Sequence, residues 1–214
     1  LGRQRQMSRR DRITTFHLEF SIKDDKFSSP SYIYAYEMED DIWPNDTDRG
    51  SGMTGQLAHK KVGDKIEGAK IYVDKMDTYR VDITGYVREK DNNGTRKINL
   101  MLKAAPTASG YINIYPTDHA ISHAPKLRIS DELPETPAYP IPVPASKDTY
   151  VYGANSTKDY SSGGYHYNLF VSKDASGNDA YAVFEFDLTD VPQAAADQML
   201  IAPIDFSLKA YNFS

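Results

Sequence analysis

The chain has no cysteine in its 214 residues. That excludes a disulfide framework, thiol catalysis and every Cys-ligated zinc or iron–sulfur site. It leaves the compartment undecided, because a large β domain outside the cell can hold together on core burial alone. No apolar run approaches eighteen residues, so a membrane-spanning helix is excluded and no membrane insertion is expected. No cationic-then-apolar segment opens the chain, and residue 1 is Leu. Either a targeting segment has gone or the chain is a piece of something longer. Tryptophan is scarce too, one residue beside eight Phe and sixteen Tyr. A Tyr-heavy mix suits pleated strands and wet recognition surfaces alike.

Charge is unevenly laid out. Arg3, Arg5, Arg9, Arg10 and Arg12 against Asp11 give residues 1–12 a local +4, while the whole chain carries −5. A basic arm over 1–15 beside an acidic body can steer like subunits head to tail, or be a solvated cationic end. Nucleic acid is not an expected partner, since the body is acidic and no recognised motif follows the arm.

Alternation dominates the rest. In Phe16-His17-Leu18-Glu19-Phe20-Ser21-Ile22 every second residue is apolar, the pattern of a half-buried strand. Tyr32, Tyr34, Tyr36 and Met38 repeat it. Further strands are expected at 79–83, 98–102, 111–115, 127–129, 149–152, 168–172, 182–188 and 206–211, punctuated by turn residues such as Asn92-Asn93-Gly94 and Ser176-Gly177-Asn178. The one helical turn expected is 193–199, after Pro192. Many short strands and no long amphipathic helix imply an all-β fold, an antiparallel β-sandwich or jelly roll.

Residues 131–147 hold five of the twelve prolines and read as a semi-rigid, extended spacer. They divide a segment 16–130 from a segment 148–214. The second is small for an independent sandwich without disulfides and needs a partner.

Tyr79-Arg80-Val81-Asp82-Ile83-Thr84-Gly85-Tyr86-Val87, then Ile98-Asn99-Leu100-Met101-Leu102 and Tyr111-Ile112-Asn113-Ile114-Tyr115, closing on Ala124-Pro125-Lys126-Leu127-Arg128-Ile129, resemble the C-terminal half of a DNRLRE-type module. Asp148-Thr149-Tyr150-Val151 resembles that family's opening strand, and 169–172, 182–189 and 206–211 continue its N-terminal half. The resemblance implies an extracellular β-jelly-roll module of secreted or cell-surface proteins, some of which bind acidic polysaccharides. The order departs from the family: a C-terminal half comes first and an N-terminal half second. The chain can be an excerpt of a tandem array, a circular permutant closing on itself, or a subunit whose halves complete one another between copies. In the third case Phe16, Leu18, Phe20 and Ile22, with Phe206 and Leu208, are the inter-subunit strand candidates, since β-strand addition satisfies an incomplete sheet.

No enzyme constellation stands out, and none of the G-x-S-x-G, P-loop or H-E-x-x-H patterns occurs. His119 and His123 lie four apart but between strands rather than on a helix, so that spacing does not place them together. Asp40, Asp41, Asp46 and Asp48 surround Trp43, and Asp174 and Asp179 bound a second acidic loop. Neither follows an EF-hand, so no cofactor is expected beyond a structural calcium, with Asp174 and Asp179 as its candidates. Tyr160, Tyr165 and Tyr167, in a Ser/Gly-rich stretch, are the glycan-stacking candidates, while the Tyr32, Tyr34, Tyr36 stripe reads either as a stacking platform or as core. Four N-x-(S/T) sequons make Asn45, Asn93, Asn155 and Asn212 glycosylation candidates outside the cell. The function expected is that of a non-enzymatic extracellular or cell-surface structural protein, a filament subunit assembled with copies of itself by strand exchange. The alternative is a carbohydrate-binding module of a secreted polysaccharide-active protein.

Overall fold

In the computed structural model the described residues are 13–40, 42–43, 52–117, 122–132, 141–153, 156–160, 168–174, 179–189 and 191. Among them, eleven strands and two short helices follow in the order β1 (Ile13–Asp25), β2 (Ser31–Met38), α1 (Gly55–Lys61), β3 (Val62–Val73), β4 (Thr78–Asp82), α2 (Thr84–Asn92), β5 (Lys97–Ala104), β6 (Gly110–Ile114), β7 (Lys126–Glu132), β8 (Ile141–Pro144), β9 (Lys147–Tyr152), β10 (Leu169–Lys173) and β11 (Ala180–Asp187). All pairings between these strands are antiparallel, in two sheets. Sheet I runs β10-β6-β1-β7-β8, with β4 also on β1. Sheet II runs β3-β2-β5-β11-β9. The protein is an all-β sandwich, as the alternation implied.

Period-two patterning turns one side of each strand inward. Leu18 and Phe20 of β1, Ile33 of β2, Leu100 and Leu102 of β5, Ile112 and Ile114 of β6, and Phe184 and Phe186 of β11 meet between the sheets, all fully buried. Truncating Phe20 or Phe184 to Ala would cost about 3–5 kcal/mol. The long β1 is paired on both edges: with β7 along 13–19 and then β6 across 22–25 on one edge, where the Ser21 carbonyl accepts from the Tyr115 N–H, and with β4 along 17–21 on the other, where the Ile22 N–H donates to the Asp77 carbonyl. Phe16, Leu18, Phe20 and Ile22 therefore lie in an interior strand whose neighbours all come from the same chain. Phe206 and Leu208 lie outside the described residues, as do the basic arm to residue 12 and the helical turn expected at 193–199.

Strands from both sides of the Pro-rich run share both sheets. β10 pairs with β6, and β11 lies between β5 and β9. Within the run itself, Ile141–Pro144 form β8, where an extended spacer was expected. Ile141 and Val143 sit opposite Ile129 and Leu127, while Pro142 and Pro144 alternate with them on a strand at the sheet edge. Proline is tolerated there because an edge strand has N–H groups with no ladder partner to lose.

Two helices arise where none was expected. α2 occupies residues 84–92, of which 84–87 read as the end of a strand and its turn, and it buries only Tyr86 and Val87. α1 is capped by Thr54, whose side chain accepts from the Leu57 N–H. It lies over the outer face of sheet II, with Met53, Leu57 and Ala58 in one cluster with Met101, Val151, Tyr181 and Val183. Ile42 and Trp43 join that cluster, and the Trp43 indole N–H donates to Asn99 Oδ1 at 2.9 Å. That cover explains why β5 and β11 are buried on both faces.

Candidate binding face

The outer face of sheet II has two halves. α1, with Ile42 and Trp43, covers β11, β9, the middle of β5 at Met101 and the end of β2 at Met38, and Tyr36 packs against its edge. The rest, over β3, the start of β2 and the Lys103 end of β5, is left open, and it is built from tyrosines and lysines. Tyr32, Tyr34 and Tyr36 of β2 point outward because Ile33 and Ala35 between them point into the core. Across β3, Tyr72 pairs with Tyr32, Lys70 with Tyr34 and Lys65 with Tyr36, while β5 sets Lys103 opposite Tyr34. The register shift between Tyr34 and Tyr36 falls at the Gly68 bulge, with φ of 75° in the left-handed region that favours glycine.

Each lysine settles over a ring. Lys70 Nζ lies 3.7 Å from the Tyr32 centroid, Lys65 4.6 Å from Tyr34, and Lys103 4.4 Å from Tyr36 and 5.4 Å from Tyr181. Such contacts contribute about 0.5–1 kcal/mol each when exposed and more when desolvated. Among the described residues none of these three lysines is in an ion pair, whereas Lys61, Lys75, Lys90, Lys147 and Lys173 each have a carboxylate partner. Burial holds the Lys103 ammonium below its ordinary value. Burial, then the neighbouring Asp179 charge, pushes the Tyr181 phenol up to about 12, so it stays neutral. Tyr32 and Tyr72 are 38% and 50% exposed, and their rings meet at 5.1 Å. The face is thus cationic and aromatic, open to solvent at Tyr32 and Tyr72 and half-buried at Tyr34 and Tyr36.

The other candidates fall elsewhere. Tyr160 packs on Tyr150 at 5.0 Å and Tyr152 at 5.2 Å, in an aromatic cluster continued by Phe170 and Tyr111. Its ring is engaged by other rings, with Lys158 4.6 Å from its centroid. Tyr165 and Tyr167 lie outside the described residues. Asp179 accepts from Lys173 Nζ at 2.6 Å, from the Asp174 N–H and from the Tyr181 hydroxyl, so an ammonium already occupies its carboxylate. Among the described residues no group of three or more His, Asp or Glu is arranged to hold a metal ion. The Asp40 carboxylate accepts from Lys90 and from the Thr95 hydroxyl, while Asp41, Asp46, Asp48 and His119 lie outside the description. His123 stacks on Tyr115. Asn93 is exposed at the end of α2; Asn45, Asn155 and Asn212 are not described.

Sequence reasoning left Tyr32, Tyr34 and Tyr36 open between platform and core, and it missed the lysines. Alternation gives the shared face of the tyrosines. Which cations stand beside them depends on pairing with β3 and β5, a register that no local signal carries.

Fold and face together define an antiparallel two-sheet β-sandwich presenting an aromatic, cationic sheet surface. Compared with protein-family models, curated proteins and solved structures, the chain matches none.

Proposed function

We propose that this protein is a non-catalytic extracellular module that holds an extended acidic polysaccharide along the open half of sheet II. The observation that carries the reading is the set of three lysines seated on tyrosine rings without a carboxylate partner among the described residues. Tyrosine rings offer the apolar faces of sugar rings a flat contact, and the ammonium groups offer sugar carboxylates a charge-assisted hydrogen bond. Two residues along a strand advance roughly 6.7 Å, so Tyr32, Tyr34 and Tyr36 form a row suited to a linear polymer rather than a single sugar. The net charge of −5 opposes a polyanion at long range. Screening within about 8 Å at physiological salt leaves the local lysines to decide. The DNRLRE-type resemblance points the same way.

Calorimetric titration with polygalacturonate, alginate and a neutral β-glucan tests this. Saturable binding of a polyuronate, weakening with salt and reduced at least about tenfold by Tyr34→Ala or Lys103→Ala, about 1.4 kcal/mol, is expected. Equal binding of the neutral glucan would remove the acidic preference, and no binding to any of the three would overturn the reading.

A second reading has its own observation. Phe206-Ser207-Leu208 repeats the spacing of Phe16-His17-Leu18, so the chain carries two sequences suited to one interior strand position. A structural protein in which residues 206–211 of one copy take the place of β1 in the next would form a head-to-tail filament. Light scattering over a range of concentrations decides it: growing mass supports exchange, and a constant monomer mass rules it out.

A further inference from the structure

A helix as short as α1 does not hold its shape in isolation. Its order comes from the apolar patch beneath it, where Met53, Leu57 and Ala58 lie with Met101, Val151 and Val183. His59, half-buried, stands at the edge of that contact. Its ring meets Tyr181 edge-on at 4.8 Å, and its Nε2 is buried without a hydrogen-bond partner among the described residues. The charges acting on it are Lys103 from β5 and Asp179 just before β11. On its own helix Lys60 and Lys61 follow, Lys61 tied to Glu39. A neutral imidazole fits this place. An imidazolium would put a donor with no acceptor at the buried nitrogen, in the field of the Lys103 ammonium.

We propose that α1 is a clasp released by protonation of His59, uncovering the apolar half of the sheet II face beside the tyrosine–lysine band. Burial, and after it Lys103, hold the imidazole below its ordinary value against the opposing pull of Asp179. A group lowered in the docked state binds its proton more readily once released. Docking is therefore fully stabilised above about pH 6.5 and weakens as pH falls toward the lowered value. One proton raises the opening of α1 by up to about tenfold per pH unit across that window. Release would extend the open face over the covered parts of β5, β11 and β9 and place bare apolar surface next to the lysines. Only that use of the surface rests on the polysaccharide reading. The release does not.

Trp43, the one tryptophan of the chain, belongs to the same cluster, so its emission reports whether the contact is dry. The protein without glycan is titrated from about pH 7.5 to about pH 5, following Trp43 emission and amide exchange together. A red shift with loss of protection over 55–61, while β5 and β11 stay protected, is expected. His59→Phe keeps an aromatic edge on Tyr181 and cannot titrate, so it should abolish the transition; His59→Gln serves if that variant fails to fold. A pH-independent Trp43, a transition that survives both substitutions, or loss of β5 and β11 protection together with α1 would each overturn the clasp. Polyuronate binding measured separately at about pH 7.5 tells failure of the clasp from failure of the binding face.

Discussion

Glu19 lies between two arginines supplied by the strands on either side of β1. Arg128 of β7 holds it bidentately, Nε to Oε2 at 2.6 Å and Nη2 to Oε1 at 2.8 Å, and Arg80 of β4 donates to the same Oε2. Its side chain is 6% exposed while Arg80 is 57% exposed, so the Arg128 arm carries most of the energy and the Arg80 arm is discounted for solvent. Glu19→Ala would leave Arg128 half-buried without its partner, at a cost of about 3 kcal/mol measured by denaturant unfolding. Burial pushes the carboxyl up, and the hydrogen bonds from Arg128 and Arg80 overcome it, so the group ends below the usual carboxylate range. Its stabilisation is present above about pH 4.3 and is lost as pH falls through the lowered value. Glu19→Gln should flatten that acid limb while leaving the His59 transition in place. At this scale the sequence was partly legible. Alternation puts Glu19 and the β2 tyrosines on outward faces, but it is silent on Arg128, more than a hundred positions away.

At the scale of elements, strands announced themselves and helices did not. α1 is too short to show a period, and α2 offers only two buried residues and no side-chain cap at its start. The place of α1 is set instead by a close approach. A Cβ built at Gly55 would fall 2.1 Å from the carbonyl oxygens of Tyr152 and Gly153 at the end of β9. Gly55→Ala therefore has to lift the helix from the sheet. A loss of about 1–3 kcal/mol in thermal unfolding, with Trp43 emission shifted at neutral pH, is the expected result. β8 shows how composition misleads about an element. Five prolines suggest a spacer, yet two of them serve as an edge strand that offers few donors to a neighbour. Replacing Pro142 and Pro144 by Thr should restore those donors and raise self-association, seen as concentration-dependent elution in gel filtration.

For the whole molecule, the sandwich class was readable from strand count and turn spacing. How the strands before and after the Pro-rich run join was not, because pairing over such separations leaves no local trace. In the structure β9, β10 and β11 fill both sheets begun before the run. A chain ending at residue 140 should expose the edges of β5 and β6 and aggregate. A peptide of residues 141–191 added in trans should restore solubility and the β-sheet circular dichroism; failure of both would mean the two stretches do not fold as one unit. The same interleaving acts on the timing of synthesis. Leu102 pairs with Ala182, so β5 leaves the ribosome about 80 residues before its partner, a wait of about 4–16 s at 5–20 residues per second. Through that interval a strand built for burial on both faces is half-dressed, so the yield of this protein depends on whatever shields β5 until its last strands arrive.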